Sequence, residues 1–101
     1  MRMLMHVHFP LEPFNTAIRD GTVGGKIQRI LGAIKPEAAY FSEQEGKRCC
    51  SLVVNVNKAS DVPALAEPFF LTFDAAVESR ICMTPDDLAA AGLDQIGKEW
   101  K

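Results

Sequence analysis

The sequence predicts an α+β domain in which two helices cover one face of a four-stranded antiparallel sheet. Its segments follow the order strand, helix, strand, strand, helix, strand. Apolar residues alternate with polar ones in the strand segments, and they recur every three to four residues in the helical segments. The length of 101 residues suits a single domain spanning residues 1–101.

Composition and charge narrow the class of protein. Hydrophobic residues make up 48% of the chain and charged residues 24%, which is the balance of a globular domain rather than a disordered chain. The formal net charge of −2 excludes a basic nucleic-acid binder. No apolar run approaches the ~18 residues of a membrane span, and the N-terminal residues lack a signal-peptide cleavage site. We therefore expect a cytoplasmic protein whose partners include neither nucleic acid nor membrane.

The first strand has one apolar side and one mixed side. Leu4, His6 and His8 lie on the mixed side. The apolar side carries Met3, Met5, Val7 and Phe9. Pro13 is predicted to open a short helix that ends at about Asp20.

Two longer helices are predicted from apolar stripes and end signals. Thr22 is predicted to cap the first of them, which Pro36 ends. Its stripe consists of Val23, Ile27, Ile30, Leu31 and Ile34. Ser60 or Asp61 is predicted to cap the second, with a kink or restart at Pro68 because a proline ring collides with the carbonyl four residues back. The apolar positions of this helix are Val62, Leu65, Phe69 and Phe73.

A β-hairpin is predicted between residues 38 and 56. Gly46 can adopt the positive φ that a tight turn requires, and a two-residue loop at Glu45-Gly46 fixes the register. On the apolar side of the sheet, the register pairs Phe41 with Cys50 and Glu43 with Arg48. On the mixed side, it pairs Tyr40 with Ser51 and Ser42 with Cys49.

The last strand and the C-terminal segment complete the pattern. The strand is predicted over residues 75–83, with Glu78 and Arg80 on its mixed side. Its apolar side carries Val77, Ser79, Ile81 and Met83. Thr84 is predicted to cap a helix that ends at Gly92. The tail is expected to form a further helical turn with Trp100 as an anchor.

This element order is the split βαβ pattern of a ferredoxin-like fold. In that topology the first and third strands are central, and the apolar sides of all four strands lie under the helices. The mixed sides are left bare. We name this bare surface the open face, and its residues are Leu4, His6, His8, Tyr40, Ser42, Cys49, Ser51, Val53, Asn55, Glu78, Arg80 and Cys82. A face that combines apolar and titratable side chains in this way is best explained by a second copy of the chain that covers it.

The element order, the mixed face and the segment VESRICMTPDDL (residues 77–88) resemble the dimeric α+β barrel superfamily, small ferredoxin-like chains that pair sheet to sheet. The likeness covers about residues 3 to 92 and is greatest to short families without an assigned activity. Members of the superfamily include cofactor-independent monooxygenases, muconolactone-isomerase-like enzymes and haem-degrading enzymes. The resemblance implies a homodimer with ligand pockets, but it transfers no catalytic residue to this chain.

Five residues of the open face form the candidate ligand-binding site. His6 or His8 would act as general acid or base with its pKa tuned by Glu78, because imidazole titrates near neutral pH. Arg80 would contact an anion, since a guanidinium binds carboxylate or phosphate in bidentate fashion. Tyr40 would orient a ligand from the edge strand.

The candidate site residues also have other possible roles. The two histidines, about 7 Å apart by strand rise, could be a hydrogen-bonded pair that lines a dimer cavity. They could also bind a metal with a third ligand from Glu78, Cys49 or Cys82. Glu78 and Arg80 could form an ion pair between chains. Cys49 or Cys82 could carry a reactive thiol, although cysteines more often serve as small buried hydrophobes.

The glycines and lysine of residues 21–26 do not form a phosphate-binding loop. Asp20 stands where the Walker pattern requires its first glycine, and Ile27 follows Lys26 in place of a hydroxyl residue. Two functions therefore remain for the chain. One is binding of a small, anionic molecule, with or without cofactor-independent catalysis; the other is a structural or regulatory dimer without activity.

Overall fold

The computed structural model describes residues 1–101. The strands are β1 (Arg2–His8), β2 (Ala38–Gln44), β3 (Lys47–Asn55) and β4 (Ala76–Ile81). The helices are α1 (Leu11–Arg19), α2 (Val23–Ile34), α3 (Val62–Phe73), α4 (Pro85–Ala89) and α5 (Leu93–Glu99), and a 3₁₀ turn at Ala59–Asp61 precedes α3. The regular part of α1 starts at Pro13, because Glu12 is extended (φ −109°, ψ 144°) as the residue before a proline prefers.

The four strands form one antiparallel sheet in the order β2-β3-β1-β4, so that β1 and β3 are central. The hairpin register predicted from Gly46 is confirmed. Phe41 faces Cys50 and Tyr40 faces Ser51. Gly46 adopts a φ of 75° and Glu45 a φ of 55°, which are the positive values that a two-residue turn requires.

The core lies between the sheet and the helices. The central strands contribute Met5, Val7, Cys50, Leu52 and Val54, all of which are fully buried. The core also contains an aromatic cluster. Its rings belong to Phe9, Phe14, Phe69 and Phe73. The ring centroids of the contacting pairs are 4.9 to 6.2 Å apart. The predicted apolar stripe of α2 also packs on this core.

Helix α3 runs unbroken through Pro68, so the predicted restart of the helix is wrong. An interior proline costs about 3 kcal/mol. Leu65, Phe69 and Phe73 on the inner side of the helix are buried, and each large apolar side chain contributes roughly 1.5–3 kcal/mol on burial. The summed burial outweighs the cost of the proline.

Thr22 and Asp61 occupy the N-cap positions of α2 and α3, but neither side chain makes a capping hydrogen bond. The Thr22 hydroxyl instead donates to Asp20 Oδ1 at 2.6 Å. This bond lowers the pKa of Asp20. The Asp61 carboxylate accepts the backbone N–H of Lys58 and holds the turn before α3.

The helices do not cover the edge strands completely. Phe41 on β2 and Ile81 at the end of β4 lie on the apolar side of the sheet yet are about half exposed, and Met83, which follows β4, is more exposed still. The prediction that the apolar sides of all four strands lie under the helices is therefore wrong at these edges. The helices that pack on the sheet cover β1 and β3 but leave the outer strands partly bare.

Glu43 faces Arg48 in the hairpin, as the register predicts. The two do not form an ion pair, because Arg48 turns inward and places its guanidinium 4.5 Å from the centroid of the Phe14 ring. Arg48 Nη1 is buried without a hydrogen-bond partner. The guanidinium thus packs on an aromatic face rather than on the cross-strand carboxylate.

The C-terminal helices lie outside this core. A capping box starts α4, in which the Asp87 N–H donates to Thr84 Oγ1 and the Thr84 N–H donates to the Asp87 carboxylate. Trp100 is 84% exposed, so it does not anchor the tail to the rest of its own chain. None of the helices has the length and apolar character to cross a membrane.

Candidate functional site

The strand register arranges the open face in rows that cross all four strands. One row joins Tyr40, Ser51, His6 and Glu78. The next row toward the N terminus of β1 joins Ala38, Val53, Leu4 and Arg80, and the row on the other side joins Ser42, Cys49, His8 and Ala76. The two histidines therefore lie in the middle of this face, on a central strand.

His6 is held by hydrogen bonds at both ring nitrogens. Its Nδ1 lies 2.8 Å from Ser51 Oγ, and its Nε2 lies 2.8 Å from Gln44 Oε1. An amide oxygen can only accept, so Nε2 carries the proton. In the neutral ring Nδ1 is then the acceptor, and the Ser51 hydroxyl donates to it. The network fixes both the ring orientation and the tautomer of His6.

His8 is the more available of the two imidazoles. Its ring packs edge to face against His6 with centroids 4.5 Å apart. Its Nε2 lies 3.6 Å from Glu78 Oε1. Glu78 pairs with His6 in the strand register but directs its carboxylate to His8. Of the two histidines, His8 is therefore the one whose charge Glu78 can stabilise.

Arg80 lies one row from His6, on the edge strand β4. It is exposed, and it takes part in none of the ion pairs or side-chain hydrogen bonds of the molecule. It does not pair with Glu78, although the two residues share a face. Its guanidinium is therefore a free donor group at the border of the site.

These side chains border a cavity of about 620 Å³ on the open face. Nine residues line it: Leu4, His6, His8, Gln44, Glu45, Ser51, Glu78, Ser79 and Arg80. Four of the five predicted site residues are thus brought together. Tyr40 is not among them, because it lies on the edge strand β2 with 73% of its surface exposed.

Sequence reasoning missed Ser51 and Gln44 as members of the site. The predicted register already places Ser51 on the open face, and its pairing with His6 across β1 and β3 would have been the signal to include it. Gln44 gives no such signal, since it belongs to β2 and reaches His6 across the intervening strand β3. Only the folded hairpin shows that contact.

The cysteines and histidines do not assemble the metal site that was considered as an alternative. No group of three or more His, Cys, Asp or Glu side chains comes together in a geometry that could hold a metal ion. Cys49 faces the mixed side as predicted but is buried. Burial raises the pKa of the neighbouring Cys50 thiol to about 12, so Cys50 stays protonated near neutral pH.

The arrangement supports ligand binding and proton transfer. His8 offers an imidazole, a group that serves as general acid or base in many sites. Ser51 offers a hydroxyl whose orientation His6 fixes, and Arg80 offers a cation. The fold and this cavity define an α+β protein with a polar pocket on an uncovered sheet face.

Comparisons with known proteins give no family for this chain. No family model matches it, and no curated protein matches it. Among solved structures, one titled "De novo designed protein Ferredog-Diesel" is similar, with a TM-score of 0.47 and 7% sequence identity over 80% of this chain and 85% of that chain. This likeness carries no inference about function.

Proposed function

We propose that the protein is a ferredoxin-like homodimer, in the manner of the dimeric α+β barrels, whose open faces enclose a pocket for a small anionic molecule. The observation that carries this proposal is the cavity of about 620 Å³ that the two histidines, Glu78 and Arg80 line together. A volume of this order suits a small-molecule site, for which roughly 300–1,000 Å³ is typical.

Arg80 supports the anionic character of the ligand. Arg80 has no carboxylate partner within 4.0 Å. A guanidinium without a partner can bind the two oxygens of a carboxylate or phosphate. Covering the open face with a second chain would remove water from this contact and strengthen it.

His8 and Ser51 support a chemical role beside binding. In this proposal Arg80 holds the anionic group and His8 exchanges a proton with the ligand. The Ser51 oxygen accepts a hydrogen bond from the ligand, because its hydrogen is donated to His6. Glu78 lies beside His8, with 3.6 Å between Glu78 Oε1 and His8 Nε2. Such a site would perform cofactor-independent proton transfer, the type of chemistry that imidazole provides near neutral pH.

Calorimetric titration with two probes, benzoate and inorganic phosphate, tests the proposal. We expect at least one probe to bind, and we expect Arg80→Ala to weaken that binding about tenfold or more, since a hydrogen bond to a charged group is worth about 1.5–3 kcal/mol. Arg29→Ala is the matched control, because Arg29 lines a separate cavity between α2 and α3. Equal affinity in the Arg80→Ala variant and the unchanged chain would refute this site.

A structural dimer without activity is the second candidate. It is favoured by the network of His6, in which both ring nitrogens are already occupied by Ser51 and Gln44. Such satisfied polar groups also occur in interfaces that only hold chains together. A dimer structure in which partner side chains fill the cavity would favour this candidate, whereas a cavity open to solvent favours ligand binding.

A further inference from the structure

The segment that follows the sheet is left uncovered by its own fold. We name residues 83–101 the C-terminal arm, which contains α4 and α5. Every residue from Pro85 to the C terminus is exposed, and none belongs to the hydrophobic core. With this arm the molecule measures 60 Å along its longest axis, against 28 and 19 Å along the others.

The C-terminal arm carries apolar side chains in an ordered pattern. Leu93, Ile96 and Trp100 follow one another at intervals of three and four residues, so they lie along one side of α5. Gln95 and Glu99 lie on another side of this helix and contact each other. All three apolar residues are strongly exposed. A helix with one apolar side typically packs that side on another surface.

The short lengths of α4 and α5 also indicate that the C-terminal arm packs on another surface. They contain five and seven residues, whereas isolated helices shorter than about 12–15 residues are marginal in water. The capping box at Thr84 adds only about 1 kcal/mol. Their stability must therefore come from packing, and no residue of the arm belongs to the hydrophobic core of its own chain.

We propose that the C-terminal arm packs on a second copy of this chain and that the two copies exchange their arms. This inference rests on the homodimer of the proposed function. Four strands of about seven residues, spaced ~4.8 Å apart, have a flat area on the order of 400 Å² on one face. A stable interface buries roughly 800 Å² of accessible surface per partner, so a dimer gains from any area that the arms add to the sheet faces. Reciprocal exchange of the arms adds this area and gives a closed two-fold dimer.

The free edge of the partner sheet offers a matching surface. Strand β2 is an outer strand, and its Tyr40 and Phe41 are exposed on the two sides of the sheet. An uncovered edge with aromatic side chains invites association and is usually protected in native proteins. The C-terminal arm leaves the sheet from the opposite edge, β4. In the proposed dimer, the arm of one copy extends from its β4 edge to the β2 edge of the other copy, where these two aromatic residues lie.

Isotope-resolved cross-linking of the full chain tests which molecule the arm contacts. Equal amounts of ¹⁴N and ¹⁵N protein are mixed, equilibrated and treated with an amine-reactive cross-linker. Links from Lys98 or Lys101 to residues 1–82 are then identified by mass spectrometry. We expect these links to include pairs of mixed isotope composition. If the chain dimerises but all arm links join residues of one isotope, the arm inference is refuted and the proposed dimer stands. A chain that stays monomeric refutes both.

A matched pair of variants measures the contribution of the apolar stripe. We expect Ile96→Ala with Trp100→Ala to weaken dimerisation about tenfold or more in sedimentation equilibrium, which corresponds to about 1.4 kcal/mol. The control variant changes Gln95 and Glu99 to Ala on the polar side of the same helix, and we expect a change below about twofold. Equal effects of the two variants would contradict a packed apolar stripe.

Discussion

The hydrogen-bond network of His6 makes a prediction that depends directly on the geometry of the site. In Gln44→Leu the His6 Nε2–H loses its acceptor, which lies at 2.8 Å in the unchanged protein. A net hydrogen bond is worth about 0.5–1.5 kcal/mol, and His6 is only half-buried, so that water can take the place of the amide. We therefore expect the free energy of unfolding to fall by about 0.5 kcal/mol.

The assay that separates this account from a general loss of stability is long-range ¹H–¹⁵N NMR of the histidine rings. In the unchanged protein we expect His6 to be protonated at Nε2, since Gln44 Oε1 accepts there and Ser51 donates to Nδ1. In Gln44→Leu this preference should weaken. Gln28→Leu, at an exposed position of α2, is the matched control and should leave the His6 tautomer unchanged. Protonation of His6 at Nδ1 in the unchanged protein would refute the assignment.

The remaining predictions concern the core, the cap and the thiols. Phe73→Ala should cost about 3–5 kcal/mol in denaturant unfolding, and a loss below about 1 kcal/mol would contradict the packing of that ring. Hydrogen bonds from the backbone N–H and the side chain of Thr84 lower the pKa of Asp87. The cap therefore stabilises α4 at pH values above the ordinary aspartate pKa, and this stabilisation is lost as pH falls through the lowered pKa. Thr84→Ala removes the side chain and keeps the backbone donor, so NMR titration should show a partial upward shift of the Asp87 pKa, and no shift would contradict the role of the Thr84 side chain. Cys50, with a pKa of about 12, should resist alkylation at neutral pH in the folded protein, while the half-buried Cys82 reacts first; peptide mapping that found Cys50 modified first would contradict this.

The parts of the fold that depend on local patterns could be predicted from the sequence. Alternation of apolar residues identified the buried side of β1, and a glycine at position 46 was sufficient to set the hairpin register. A one-residue error would have moved every side chain of β2 to the other face. Because the register was right, the central position of His6 on the mixed side followed from the sequence.

The parts that depend on distant packing could not be predicted in this way. Pro68 signals a break, but the buried rings of α3 outweigh its cost. Trp100 is large and apolar, yet its own domain does not cover it. The contact between Gln44 and His6 crosses an intervening strand, and no periodicity encodes it. Each of these features is decided by what lies nearby in three dimensions rather than along the chain.

The central claim is that two open faces meet, and sedimentation equilibrium of a variant on that face tests it most directly. Val53 lies on the open face beside Leu4 and is only half-buried in the single chain. The unchanged protein should sediment at twice the chain mass of 11.1 kDa at micromolar concentration. Val53→Asp should sediment as a folded monomer, because a charge would be buried in the interface without a partner. A variant that dimerises as tightly as the unchanged chain, or an unchanged chain that is itself monomeric, would contradict the claim.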